Sequence, residues 1–171
     1  MTSLEGKWSG RVLWIGVLFF VLALVLRILF LHATPDAAGP YSPYYKGDTP
    51  IWLDYARAIQ SSSSFDQGIP MRPPGIAYLV ALLWNGQENG FLALKLIWSF
   101  LGAGVVALFF VAVLRSFDLR VAVIATFIAT ASTGMIILST SVNNETPYLL
   151  LVIGSCISGN QSSISTVSHC L

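Results

Sequence analysis

The 171-residue sequence combines 55% hydrophobic with 10% charged residues, a net charge of +1 and a mean hydropathy of +0.73. Soluble domains carry about 25% charged residues, so this composition indicates an integral membrane protein and excludes a soluble one. The near-neutral charge excludes nucleic acid as a partner, because nucleic-acid-binding surfaces are strongly basic. Membrane lipid is therefore the first expected partner.

The apolar segments, taken in chain order, predict an all-α, polytopic bundle of transmembrane helices. The first covers about 12–31, which matches the roughly 20 apolar residues that a helical span needs. We expect an uncleaved first helix, with a signal peptide as the alternative. Further spans are expected at about 91–114 and 121–138, and a fourth begins at 147 and stops near Ile157.

The segment between the first and second spans, 34–90, is expected to lie on the outer face. Its apolar stretch Ile76–Trp84 is too short to cross as a helix, so we place it at the interface. The basic residues that flank the spans then share one side, which the positive-inside rule assigns to the cytoplasm together with the N-terminus: Lys7, Arg11, Arg115 and Arg120. We expect a multi-pass protein of the plasma or inner membrane in a bacterium, or of the endoplasmic reticulum in a eukaryote.

Within this outer segment, the residues after Gly47 predict an amphipathic helix on the membrane surface. Asp48 occupies the N-cap position and Pro50 the first turn. Apolar residues recur at helical spacing on one face, and Asp54 and Arg57 have the i,i+3 spacing of an ion pair toward the other. Two interpretations of Asp48 follow: a helix cap, or a carboxylate held at the membrane surface as a general base.

Three further charged residues are candidates for function. Arg72 either anchors the chain to lipid phosphate or clamps the phosphate of a lipid-linked donor. Glu145 is either a solvated loop acid or a second acid that faces the same outer cavity as Asp48, and Thr146 after it predicts the N-cap of the fourth helix. Arg27, inside the first span, either snorkels to the outer interface or pairs with an acid or phosphate near that cavity.

The order of these features resembles the N-terminal part of the GT-C membrane glycosyltransferases, nearest to the protein O-mannosyltransferase and lipid A aminoarabinose transferase group. The resemblance covers about residues 10–153. The features that carry it, in order, are a first span, Gly47-Asp48 with Trp52 and Ala56, Arg72-Pro73-Pro74, a short apolar helix ending at Asn85-Gly86, a long span, a basic turn over 115–120, another span and Glu145.

This resemblance implies inverting transfer of a sugar from a polyprenyl-phosphate donor to a hydroxyl acceptor on the outer face. It implies that Asp48 is the catalytic residue, that Arg72 contacts the donor phosphate and that Glu145 is the second outer-face acid. Many relatives have Asp-Glu where this chain has Asp48-Thr49, so the participation of a divalent metal stays open. The sequence does not specify the sugar, the acceptor or the lipid carrier.

The predicted organisation is one membrane domain over 1–157, the N-terminal part of a GT-C domain, followed by a Ser-rich tail over 158–171. We expect this tail to be a frameshift product or a premature end, so that the chain is a fragment. The alternative function is a small non-enzymatic multi-pass membrane protein, such as a scaffold, an assembly subunit or a transporter subunit. The alternative expects Asp48→Asn and Arg72→Ala to leave function intact, whereas the enzyme loses sugar transfer.

Overall fold

The computed structural model describes residues 10–34, 48–61, 74–87 and 90–167, with side chains described as far as Ser158. Within these ranges the regular elements are helices: α1 (Gly10–Ala33), α2 (Thr49–Gln60), α3 (Pro74–Leu83), α4 (Phe91–Ser116), α5 (Leu119–Ala131), α6 (Thr133–Thr140) and α7 (Glu145–Val167). By length and composition, α1 and α4 can each cross a membrane, and α5 with α6 can form a third span. The predicted all-helical class is thus confirmed for the described residues.

The third predicted span is not one straight helix. α5 ends at Ala131, Ser132 has an extended backbone, and α6 begins at Thr133 with its axis turned by 59°. Hydropathy treats 121–138 as one continuous run, because a single break hardly changes the average over such a window. Ser, Thr and Gly are poor helix formers that stand together at this point of the sequence, which favours an interruption here.

The start and the length of α7 also differ from the prediction. The predicted N-cap at Thr146 is wrong, because α7 begins at Glu145 and the side-chain oxygen of Asn143 accepts a hydrogen bond from the Thr146 backbone N–H at 3.2 Å. Asn is as good a capping residue as Thr. The helix continues through Val167, past the predicted stop near Ile157, although its apolar part ends at Ser158.

Two apolar clusters hold the helices together, and α4 contributes to both. In the first, α1, α4 and α5 pack around Phe19 and Phe110, whose ring centroids are 5.7 Å apart. In the second, α2 and α3 pack on the N-terminal part of α4 around three buried tryptophans, Trp52, Trp84 and Trp98. Because α4 runs through both clusters, it is the helix that joins α2 and α3 to the other long helices.

The α2 helix buries its apolar face against protein. Trp52 and Leu53 are each 1% exposed and belong to the cluster shared with α3 and α4. The structure therefore corrects the expectation that α2 lies directly on the membrane. Of the two helices α2 and α3, it is α3 that leaves large apolar side chains uncovered: Leu82 is 82% exposed and Tyr78 is 57% exposed. This composition suits the headgroup zone.

Candidate functional site

An open cleft of about 450 Å³ lies between the start of α2 and the connection from α6 to α7. Its lining combines polar and apolar side chains: Asp48, Thr49, Gly134, Ile137, Leu138, Ser141, Val142, Asn143 and Glu145. The stretch of α6 from Gly134 to Ser141 extends about 10 Å along the helix axis. The cleft therefore reaches from the end of the bundle that carries α2 some distance down toward the α5–α6 break.

Asp48 stands at the N-cap position of α2, but its carboxylate makes no capping hydrogen bond to the helix. Its backbone carbonyl accepts the first helical bond, from Trp52 N at 3.1 Å. Asp118 provides the contrast within the same chain, because its side chain caps α5 by accepting from Val121 N at 2.9 Å. Helix capping thus explains the carboxylate of Asp118 and does not explain that of Asp48, which lines the cleft.

Glu145 is an exposed residue at the start of α7, and it lines the same cleft as Asp48. When the Asn144 amide is oriented to satisfy its hydrogen bonds, its nitrogen donates to Glu145 Oε2 at 2.8 Å. An acidic side chain in the first turn of a helix also interacts favourably with the helix dipole. The structure therefore brings together two of the three predicted site residues, whereas Arg72 lies outside the described residues.

Two hydrogen bonds from other helices fix the connection that precedes Glu145. The Thr49 hydroxyl donates to the carbonyl of Val142 at 2.9 Å, and the Trp98 indole N–H donates to the carbonyl of Asn143 at 2.9 Å. These bonds tie the connection to α2 and to α4. Neither Thr49 nor Trp98 was predicted from the sequence to make these bonds, although a Trp in a buried helix indicates that its N–H needs an acceptor.

Arg27 is enclosed by the bundle at 0% exposure, so it does not snorkel to the interface. Its Nε donates to Ser139 Oγ at 2.6 Å, and its Nη1 donates to the Ala23 carbonyl at 2.9 Å. The side chain points back toward the N-terminus of α1, as long helical side chains prefer. Gly102 makes room for this arrangement, because a Cβ there would lie 2.2 Å from the Cβ of Ser139 and 3.0 Å from Arg27 Nε.

The donor set of the cleft bears on whether it fits a metal ion. No group of three or more His, Cys, Asp or Glu side chains capable of holding a metal occurs among the described residues. Asp48 and Glu145 supply two carboxylates in an open cleft. Mg²⁺ sites commonly combine one or two carboxylates with water and substrate phosphate, so these residues fit an ion that a substrate completes, and they do not form a closed protein cage.

No family profile, curated protein or solved structure matches this chain. The function is therefore inferred from the arrangement of the described residues. It consists of a helical membrane bundle, a mostly apolar cleft at one end of it, two carboxylates in that cleft, and a buried arginine that bonds Ser139 of α6, the helix that lines the cleft.

Proposed function

We propose that this chain is part of a GT-C type membrane glycosyltransferase that moves a sugar from a polyprenyl-phosphate donor to a hydroxyl acceptor at the outer face. One observation carries the proposal: Asp48 and Glu145, which are far apart in sequence, line one cleft at one end of a membrane helix bundle. Two carboxylates that share one cleft are candidates for proton transfer and for holding a substrate.

In the proposed reaction, Asp48 accepts the proton of the acceptor hydroxyl while the oxygen of that hydroxyl attacks the anomeric carbon of the donor sugar. The bond from that carbon to the phosphate oxygen breaks, and the polyprenyl phosphate leaves with the bonding electron pair. A positioned general base contributes about 10²–10⁴-fold to such a step. Glu145 holds the acceptor, either by accepting a hydrogen bond from an acceptor hydroxyl or through a divalent ion.

The other walls of the cleft are consistent with a ligand that is polar at one end and apolar at the other. Ile137, Leu138 and Val142 supply apolar surface, whereas Ser141 and Asn143 supply hydrogen-bonding groups. Ligand sites typically combine a mostly apolar lining with a few polar groups that fix orientation. A polyprenyl-linked sugar is such a ligand, because its polyprenyl chain is apolar and its sugar forms hydrogen bonds.

The test is a transfer assay on membranes that contain the full chain, supplied with radiolabelled polyprenyl-phosphate sugars. We expect Asp48→Asn to lower the release of polyprenyl phosphate by about 100-fold or more at equal protein level, because the base is lost. Asp118→Asn is the matched control, since it makes the same chemical change at an aspartate that caps a helix. Its activity stays near wild type because Asn caps as well as Asp.

Equal activity of wild type and Asp48→Asn would contradict the proposed role of Asp48. If wild type releases polyprenyl phosphate from none of the donors, the transferase proposal fails, and a non-enzymatic membrane protein becomes the better description. A chelator added to the wild-type reaction separates the two roles of Glu145, because loss of activity that Mg²⁺ restores indicates a bound ion.

A further inference from the structure

We propose that the interior of the bundle behind α6 binds the phosphate group of a lipid-linked ligand, with Arg27 as the principal contact. The choice of a polyprenyl phosphate as this ligand rests on the proposed function. Three features point to the site itself: Arg27, a row of polar residues on α4, and the position of both relative to the cleft.

Arg27 has an unused hydrogen-bonding group in an enclosed place. Its Nη2 atom is buried and has no hydrogen-bond partner in the described part of the chain, although Nε and Nη1 are both bonded. None of the acids in the described ranges forms an ion pair with it. A buried charge without a partner is costly, and a charged residue inside a span usually marks a ligand or ion pathway. A guanidinium favours phosphate because it can donate two parallel hydrogen bonds.

The α4 helix presents a second set of polar side chains that leads toward Arg27. One face of α4 carries Lys95, Ser99 and Gly102, which are spaced four and three residues apart. We call this face the polar strip; its polar side chains are those of Lys95 and Ser99, and Gly102 leaves room for Arg27. Lys95 and Ser99 are both 0% exposed, and the Ser99 hydroxyl has no partner within the described residues. The strip runs from the outer first turns of α4 to Gly102, where it meets Arg27.

A small cavity lies next to the cleft, because Leu138 lines both. The cavity has a volume of about 10 Å³, and Gly102 and Ser139, the two residues that approach Arg27, also line it. That cavity has room for about one water molecule, so phosphate binding requires α6 to shift. The break at Ser132 lets α6 move without unwinding α5, because no helical hydrogen bond continues across it.

The distribution of charge fits one bound orientation. Arg27 and Lys95 are buried within the bundle, whereas Asp48 and Glu145 line the cleft. A lipid-linked sugar with its phosphate near the cations would place its sugar near the acids. Negative charge that develops on a leaving phosphate is then stabilised by fixed cations, while the base stands on the side of the acceptor.

The experiment measures binding to the purified full chain in nanodiscs of phosphatidylcholine, followed by the shift in unfolding temperature that a ligand produces. The probes are polyprenyl phosphate, the neutral polyprenol of the same length, and inorganic phosphate. We expect wild type to bind polyprenyl phosphate at least ten-fold more tightly than polyprenol. Arg27→Gln removes this preference, and the surface variant Arg57→Gln retains it. Equal binding of both lipids by wild type, or an unchanged preference in Arg27→Gln, overturns the proposal.

Stability separates a ligand site from a structural role. If Arg27 is kept for binding, Arg27→Met unfolds at the same or a higher temperature than wild type, because an unpaired buried charge is gone. A lower unfolding temperature combined with an unchanged preference for polyprenyl phosphate would show that the residue is only structural. If Arg27 variants fail to fold, Ser99→Ala is the substitute, and it weakens phosphate binding about five-fold, the factor expected for one hydrogen bond. Unchanged binding in Ser99→Ala overturns the proposal.

The remaining arms identify the ligand and keep this inference apart from the proposed function. If inorganic phosphate competes as well as polyprenyl phosphate does, the ligand is the free anion and the lipid-linked assignment is overturned. If polyprenyl phosphate binds through Arg27 while Asp48→Asn leaves transfer unchanged, the anion site stands and the proposed role of Asp48 fails. If transfer depends on Asp48 but Arg27→Gln does not change the binding of polyprenyl phosphate, the proposed role of Asp48 stands and the anion site fails.

Discussion

The hydroxyl of Thr49 donates a hydrogen bond to the carbonyl oxygen of Val142 at 2.9 Å, and both residues are buried. Thr49 follows Asp48, and Val142 lies three residues before Glu145, so this bond joins the two chain segments that carry the acids of the cleft. The geometry of the cleft therefore depends on a contact that neither acid makes.

Replacing Thr49 with Val keeps the side-chain shape and removes this bond. We expect the free energy of unfolding to fall by about 1–2 kcal/mol, because the buried Val142 carbonyl loses a partner. Thr130→Val is the control, since that hydroxyl is equally buried and bonds the Thr126 carbonyl of its own helix at 2.7 Å. Titration with a denaturing detergent measures the free energy of unfolding of both variants. Equal losses would show that the bond between the two segments stabilises the protein no more than a bond within one helix.

The close packing of α4 against α6 depends on Gly102. Gly102→Ala places a methyl group 2.2 Å from the Cβ of Ser139, so the helices must separate. We expect a loss of about 1–3 kcal/mol, the usual effect of overpacking. Gly16→Ala is the matched substitution, because its Cβ would meet the Phe110 ring at an ordinary 3.5 Å. Thermal unfolding of both variants tests the difference, and equal stability of the two variants would show that the close approach of α4 to α6 does not contribute to stability.

The cap of α7 is expected to depend on the side-chain oxygen of Asn143. That oxygen accepts from Thr146 N, and the side-chain nitrogen donates to the Leu138 carbonyl. Asn143→Ala loses both bonds and is expected to destabilise the protein by about 1 kcal/mol or more. Asn143→Asp keeps the acceptor and recovers part of that loss. An Asp variant that is no more stable than the Ala variant would show that the cap itself is unimportant.

The sidedness predicted from the basic residues can be tested with single cysteines placed at the two ends of the bundle. Cys156 and Cys170 are first replaced by Ser. A cysteine at Asp54, whose side chain is 68% exposed, is expected to react with a membrane-impermeant maleimide in intact cells. A cysteine at Phe117, which is 58% exposed, reacts only after permeabilisation, because the positive-inside rule places the basic turn in the cytoplasm. The opposite labelling pattern would invert the topology and place the cleft on the inner face.

The long helices were predictable because their apolar runs are unambiguous. The span predicted at 91–114 corresponds to α4 at Phe91–Ser116, and that predicted at 12–31 corresponds to α1 at Gly10–Ala33. The break at Ser132 was not predictable from hydropathy, since it interrupts a helix without interrupting the apolar pattern. Helix boundaries depend on individual hydrogen bonds, which averages over a window do not resolve.

The candidate site was predictable only in part. The positions of the basic residues favour one side for both Asp48 and Glu145, and the structure places the two in one cleft. The direction of Arg27 could not be foreseen, because it depends on Ser139 and Gly102, which are distant in sequence and approach only in the folded bundle. Contacts of this kind leave no local pattern, so sequence periodicity does not reveal them.

The break at Ser132 has a consequence for the bilayer around the protein. Beyond it, the first backbone N–H groups of α6 have no helical acceptor, and Gly134 on this turn is exposed and lines the cleft. Irregular backbone at membrane depth persists only where protein covers it or where water reaches it. The cleft reaches this turn at Gly134, so water that enters the cleft would give the exposed backbone groups of the break the partners that lipid does not offer.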